Sequence, residues 1–334
     1  MLNDKAIYEY GYTRNIINDK LCFIEKLENK HNFLDEILYG LQCKYKFISP
    51  KFFYDDIGQK LFNKICETKE YYLTRIETQI LYNLKNVNKH IDKNFQLIEF
   101  GSGDSLKTEM IIDIFKTQKH IDYFPIDVSN IIKTIHTKLQ NKYSNLYITP
   151  IVSDYDNAFK LINTNDQNCK FLFFLGSSFG NFNTTNAKNF LEKIKKIMNK
   201  CDLFLLGLDL VKDQKTLLNA YNDSTNFTAN FNLNILTNIN KLTGANFDVN
   251  KFEHEAIYNT NKRRIEMYLR STTNQKIIIN NTIITFNENE LINTEYSYKY
   301  TMDEIKYLIT SLGLKIKNIY HDKYKQYSLI LISN

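Results

Sequence analysis

The chain has 334 residues, enough for one large domain or two modest ones, and its 43% hydrophobic and 24% charged content is that of a globular protein. The net charge of +6 comes from Lys and Arg interleaved with Asp and Glu, with Lys262-Arg263-Arg264 the longest basic cluster, so it reads as solvated surface and not as a nucleic-acid footprint. No run of 18 apolar residues occurs, and Met1-Leu2-Asn3-Asp4-Lys5 lacks a signal peptide's apolar core, so the expectation is a cytoplasmic protein with no membrane partner. Residues 1–76 precede the first strand of the pattern. Residues 96–100 are a short β-type run ending in Gly101-Ser102-Gly103. A helical stretch follows, with Met110, Ile111, Ile114 and Phe115 apolar. Residues 123–128 predict a second strand that carries Asp127, residues 131–139 a helix, and residues 146–152 a third strand. Residues 170–175 (KFLFFL) are almost wholly apolar and stop at Gly176, as a central parallel strand buried on both faces does. Residues 187–198 put apolar side chains at 187, 190, 191, 194, 197 and 198, one helix face, and residues 203–210 are a fifth strand.

Residues 214–298 are too long a stretch for a loop. After them, Thr301-Met302-Asp303-Glu304 is a capping box, Ile305, Leu308, Ile309 and Leu312 form a helix stripe, and Gly313 ends it. Residues 314–320 and 327–332 are strands joined only by residues 321–326. That link is too short for a crossover helix, so the two must be antiparallel. Five strand–helix units in a row predict a doubly wound parallel sheet. A parallel sheet closed by a helix and an antiparallel hairpin resembles the class I methyltransferases, and ordinary dinucleotide-binding domains lack that hairpin. The resemblance implies an α/β, Rossmann-like fold with a seven-stranded sheet. Residues 77–213 and 299–334 would form the S-adenosylmethionine-binding domain, and residues 1–76 and 214–298 a second, α+β substrate domain.

Gly101 and Gly103 stand where a strand meets a helix and let the backbone approach a ligand. The dinucleotide fingerprint needs a third Gly at 106, which is Leu. A methyl donor has no pyrophosphate and needs room only for its amino-acid tail and ribose. Asp127 is placed to accept from both ribose hydroxyls. Asp154 either meets the adenine amino group or caps a helix over residues 157–162. Lys107 either reaches the donor carboxylate or is solvated. Gly176 and Asn181 follow the fourth strand, where the acceptor meets the methyl group in class I methyltransferases; Asn181 either orients an amine or caps the next helix. The six histidines are scattered without HxxxH or HxH spacing, and the five cysteines, 22, 43, 66, 169 and 201, are odd in number without CxxC. Reduced thiols and no metal are expected, not a disulfide or zinc framework.

A longer series of blocks is similar to the histidine Nα-methyltransferases of ergothioneine biosynthesis. It comprises residues 50–55 (PKFFYD), 70–77 (EYYLTRIE), 99–104 (EFGSGD) with Lys107-Thr108, 176–181 (GSSFGN), 209–213 (DLVKD), 220–223 (AYND), 265–267 (IEM) and 294–297 (TEYS). Leu73 departs from the family, which often has Pro there, and Leu208 replaces a common Thr. The resemblance implies that Tyr221 and Asn181 bind the histidine carboxylate and amino group. It places Glu295 and Ser297 on the imidazole, with Tyr54 and Tyr71 beside them and Met267 lining the pocket; Tyr54 is also expected at the donor. It implies S-adenosylmethionine as cofactor, a free amino acid as the partner, trimethylhistidine (hercynine) as product and a monomer. Another amino acid such as tryptophan, or an inactive donor-binding module, are the alternatives.

Overall fold

The computed structural model describes residues 2–26, 30–84, 87, 95–103, 106–128, 132–162 and 168–334. His90, Asp104 and Ile131 lie outside the described residues. The chain begins with α1 (Asp4–Glu9), β1 (Tyr12–Asn18), β2 (Leu21–Lys26), α2 (Lys30–Gln42), β3 (Lys46–Phe47), a 3-10 turn (Pro50–Phe53), α3 (Asp56–Glu67) and α4 (Tyr72–Tyr82). Then come β4 (Phe95–Phe100), α5 (Leu106–Phe115), β5 (Ile121–Asp127), α6 (Ile132–Lys142), β6 (Leu146–Ile148), β7 (Ile151–Val152) and α7 (Tyr155–Leu161). β8 (Cys169–Phe174), a 3-10 turn (Ser178–Asn181), α8 (Thr184–Ile197), β9 (Leu203–Asp209), α9 (Gln214–Asn219) and α10 (Phe227–Thr243) follow. The rest is β10 (Phe252–Asn259), β11 (Arg264–Ser271), β12 (Gln275–Ile279), β13 (Thr282–Phe286), β14 (Leu291–Tyr298), α11 (Met302–Ser311), β15 (Lys315–His321) and β16 (Tyr327–Ser333). Two compact units result: Met1–Leu27, Leu73–Leu210 and Tyr300–Asn334 in one, Glu28–Tyr72 and Val211–Lys299 in the other.

The first unit is built on a mixed sheet ordered β1-β2-β6-β5-β4-β8-β9-β16-β15, with β7 paired to β2 and β5. β4 pairs in parallel with β5 on one side and β8 on the other, so the strand order reverses at β4. In an open α/β sheet that reversal leaves a crevice at the carboxyl ends of the strands. β8 shows why the KFLFFL run is central. Leu172 and Phe174 enter the core that holds Leu191, Ile194 and Ile305, while Phe171 and Phe173 enter the core that holds Ile111, Phe115 and Leu139. Each buried Phe contributes roughly 1.5–3 kcal/mol. The closing hairpin is antiparallel, as its short link requires, and β16 lies antiparallel to β9. The capping box forms: Thr301 Oγ1 accepts from Glu304 N–H, and the Glu304 carboxylate accepts from Thr301 N–H at 3.0 Å. Gly313 ends α11 at φ 75°.

Four expectations are corrected. The sheet has ten strands, not seven. Residues 1–27 belong to the first unit and not to a substrate domain, because β2 pairs in parallel with β6 and β7 and carries β1 along. The strand expected over residues 146–152 breaks at Thr149-Pro150, since Pro has no N–H for a ladder. Cys169 and Cys201 form a disulfide, with Cα atoms 5.5 Å apart. The sequence separates them by 32 residues, but Phe171 faces Leu203 across β8 and β9, which sets Cys169 opposite Cys201. Among the described residues, Cys22 and Cys43 take part in no disulfide. Among the described residues, no helix is long and apolar enough to cross a membrane.

The second unit holds a four-stranded sheet, β10-β11-β14-β3, and a separate hairpin of β12 and β13. Helix α10 packs on β10, β11 and α3. Its buried face is unusually polar, and three of its amides are hydrogen-bonded to neighbouring elements. Asn232 donates to the Tyr268 carbonyl at 2.9 Å, Asn234 to the Asp55 carboxylate at 2.8 Å, and Asn238 to the Phe52 carbonyl at 2.8 Å. A buried amide without such partners would be costly. Together they tie α10 to β11, to the cap of α3 and to the first 3-10 turn.

Candidate active site

In the first unit, β4 runs into a turn that needs left-handed backbone, with φ 72° at Gly101 and 49° at Gly103. A Cβ on Gly101 would stand 2.9 Å from the Tyr155 hydroxyl, whereas one on Gly103 would meet nothing within 4 Å among the described residues. The turn is therefore closed at Gly101 and open at Gly103. Asp127 ends the neighbouring strand, and Gly103 N–H reaches its carboxylate at 3.5 Å. A carboxylate has about four lone-pair sites, enough to hold this N–H and accept from two ribose hydroxyls. Beneath the turn, buried Glu99 accepts from Thr108 Oγ1 at 2.8 Å and from the Tyr123 hydroxyl. Burial pushes the Glu99 carboxyl up to about 8, and the charge of Asp127 adds to the effect. Burial, with Asp127 and Glu99 nearby, also holds the Tyr155 phenol well above its ordinary range.

Asp154 is the helix cap of its two readings: it accepts from Asn157 N–H and from the Asn157 side-chain amide, both at 2.8 Å. It also lines an open cavity of about 510 Å³ with Tyr155, Asn157, Phe182, Asn186 and Phe190. Aromatic walls and a carboxylate at one end suit a flat heterocycle with an exocyclic amine. Asn183, not Asn181, caps α8, accepting from Asn186 N–H at 2.9 Å. Asn181 closes the 3-10 turn after β8 and is half-buried.

Glu77, on α4, is fully buried and joins three elements of this unit. It accepts from Gly176 N–H at 2.9 Å, from the Tyr327 hydroxyl at 2.6 Å and from Lys107 Nζ at 2.6 Å. Lys107 is thus ion-paired and largely buried, not solvated. Its charge is fixed beside Gly176, whose added Cβ would lie 3.4 Å from Nζ.

In the second unit, β14 carries a bulge. Met267 faces Glu295, but the next residue, Tyr268, faces Asn293, which leaves Thr294 as the extra residue. Thr294 is buried and donates to Asn232 Oδ1 at 2.6 Å. Such a bulge re-aims the side chains that follow it. Beyond it Glu295, Ser297 and Lys299 share one face, with Met267 opposite Glu295. Ser297 Oγ accepts from the Tyr221 hydroxyl at 2.8 Å and from Lys299 Nζ at 2.8 Å, and Lys299 also donates to the Tyr221 hydroxyl at 3.2 Å. All three are buried. Tyr71 meets Tyr221 edge-on at 6.4 Å, Phe62 meets Tyr71 at 6.1 Å, and Tyr54 packs on Phe62 and Phe231. Burial, with Tyr221, Cys66, Glu295 and Tyr54 close by, pushes the Tyr71 phenol well above its ordinary value. Six residues expected at the acceptor, Tyr54, Tyr71, Tyr221, Met267, Glu295 and Ser297, therefore gather in one cluster.

Residues 33–334 match the family described as histidine-specific methyltransferases, dependent on S-adenosylmethionine. The chain belongs to this family. It is 34% identical over 283 residues to the histidine N-alpha-methyltransferase of Mycobacterium tuberculosis, covering 84% of this chain and 88% of that one. With the histidine N-alpha-methyltransferase of Mycolicibacterium smegmatis it shares 31% identity over 300 residues, 89% and 93% of the two chains. The ergothioneine biosynthesis protein 1 of Neurospora crassa is 28% identical over 273 residues, 78% of this chain and 30% of its own length. The protein is an S-adenosylmethionine-dependent methyltransferase, and the open turn at Gly103 with Asp127 fits that donor.

Within this methyltransferase, sequence reasoning missed three supporting residues. Glu77 sits inside the EYYLTRIE block, but its partners are 30, 99 and 250 residues away, so no local spacing reveals it. Lys299 continues the two-residue alternation from Glu295 and Ser297, a signal that the TEYS block cut short. His254 lies outside every block. Asn232 Nδ2 donates to its Nδ1 at 2.8 Å, so Nε2 carries the proton and donates to the Tyr221 carbonyl at 2.9 Å. Burial lowers its proton affinity, which keeps the ring neutral.

Proposed function

We propose that this methyltransferase acts on the α-amino nitrogen of free L-histidine and repeats the transfer to the trimethyl betaine, hercynine. The Glu295–Ser297 pair carries the reading. Alternate residues on a strand lie roughly 7 Å apart. That separation suits a five-membered ring held at both nitrogens by hydrogen bonds of about 2.9 Å. Tyr71 and Met267 supply the polar and apolar remainder. In the first unit, Asp127 and the turn at Gly101 and Gly103 take the donor, Asp154 borders the adenine, and Lys107 offers its charge near the donor's carboxylate. The bound donor supplies an electrophilic sulfonium methyl. What the chain must add is alignment of the amine for in-line attack, the role given to Asn181. The amine must be unprotonated to attack. An α-amino group titrates at about 8 at a peptide terminus and somewhat higher in a free amino acid, where the ionised carboxylate beside it favours the ammonium; its proton leaves to solvent at modest cost, and no strong dedicated base is needed.

The test compares methylation of histidine, tryptophan, phenylalanine and leucine by the native protein and by Glu295→Ala combined with Met267→Val. A pocket of buried hydrogen-bonding groups rejects ligands that leave them unpaired, by up to about 10⁴-fold. Histidine should lead the native panel by a wide margin, and the double variant should lose histidine and gain tryptophan. Equal native rates for histidine and leucine would overturn the assignment.

A further inference from the structure

We propose that Lys299 and Tyr221 fix Ser297 as a hydrogen-bond donor, so that the site takes its imidazole only as the neutral ring in one tautomer. The inference rests on histidine as the acceptor substrate. A serine hydroxyl has one proton and two lone pairs. Tyr221 and Lys299, each 2.8 Å from Ser297 Oγ, fill both lone pairs. The Tyr221 hydroxyl gives its one proton to Ser297 and its oxygen accepts from Lys299 at 3.2 Å, an ammonium having three donors and no acceptor, so in this arrangement the Tyr221 proton serves Ser297 and not the substrate carboxylate. Only the proton of Ser297 remains to be offered to a ligand. Among the described residues its two bonds are both accepted ones.

Glu295, two residues back on the same face, is a carboxylate that accepts. One acceptor and one donor therefore face the ring. The neutral imidazole answers both, giving its N–H to Glu295 and taking the Ser297 proton on its bare nitrogen. An imidazolium would set an N–H against the Ser297 O–H, and the other tautomer would mismatch both ends. Ser297 is buried, so solvent does not relieve the mismatch at that end. The Lys299 ammonium is held in place from several sides. The residue is 2% exposed, its backbone N–H donates to the Arg263 carbonyl at 2.8 Å, and its Nζ lies 5.0 Å from the Tyr221 ring centre. It acts through Ser297 and Tyr221 and is a positioning residue, not a catalytic one.

The experiment binds L-histidine labelled with ¹⁵N at both ring nitrogens to the full chain, without methyl donor, near neutral pH. The expected spectrum has one protonated and one bare nitrogen. Two protonated nitrogens, or a pair averaged between tautomers, would overturn the proposal. Lys299→Met keeps the apolar stem and removes the donors; bound histidine should then lose the single-tautomer pattern and bind about tenfold more weakly. An unchanged pattern in Lys299→Met removes Lys299 from the role. Should that variant not fold, Tyr221→Phe deletes the other donor to Ser297 and carries the same expectation. Absence of any bound histidine in the native protein overturns the substrate reading as well, and is distinct from binding with the wrong proton count.

Discussion

Glu99 holds a proton that a glutamate in water would lose. Burial lifts its carboxyl from 4.5 to about 8, so between those values the folded chain keeps the proton and the unfolded chain releases it. The folded state binds more protons there, and stability falls as pH rises, by up to about 1.4 kcal/mol per pH unit. The contribution is complete below pH 4.5 and is lost as pH climbs through about 8. Glu99→Gln, a neutral isostere, should give a melting temperature that declines less between pH 5 and 8 than that of the native protein. Thermal denaturation across this range decides; parallel curves would mean that Glu99 titrates as in solvent. At this scale, the readable residues were those whose chemistry is local. Gly101 and Gly103 stand at the turn from β4 toward α5 and Asp127 ends β5, positions that the strand–helix–strand pattern predicts. Asp154 and Asn181 each admit two readings from the sequence, since a cap and a ligand contact use the same side chain; the structure gives the helix cap to Asp154 and, at α8, to Asn183 in place of Asn181. The partners of Glu77 and Lys107 follow from tertiary placement alone.

Helix α4 presents Glu77 to a lysine from α5, to the backbone after β8 and to a tyrosine of β16. Removing one member of a buried ion pair leaves the other charge uncompensated, at about 3–5 kcal/mol. Glu77→Ala should destabilise the protein by that order, and Glu77→Gln, which still accepts from Gly176 N–H, by less. Urea unfolding with an unchanged slope checks the ranking; an Ala variant as stable as the native chain would show that the three contacts are dispensable. Elements were legible where pattern and environment agree. β8, buried on both faces, and α11, with its box and its Gly313, are such cases. β1 was not: Ile16 and Ile17 are 74% and 60% exposed, so hydrophobicity marks the wrong residues. The bulge at Thr294 was equally hidden, because an extra residue leaves the composition of a strand unchanged.

On the scale of the molecule, each unit is assembled from separate stretches of chain. The alternation of strand with helix that the sequence pattern follows stops at residue 213 and resumes at 299, and the two units divide after Leu210 and after Lys299. The pattern fails at the start of the chain, where membership depends on a few parallel bridges from β2 to β6 and β7. Those bridges have a consequence for solubility. A terminal strand of a sheet exposes unpaired N–H and C=O groups that can recruit another chain. β1 blunts that hazard with Thr13, Arg14 and Asn15 and with an irregular register between Ile16 and Asn18. β6 and β7, covered by β2, are apolar and carry neither a charged side chain nor an irregular register of their own. Deleting residues 1–27 should therefore turn a guarded border into a sticky one. Light scattering should show the truncated chain forming large aggregates at concentrations where the full chain forms none, while a truncated chain as well dispersed as the full one would mean that β6 and β7 need no cover.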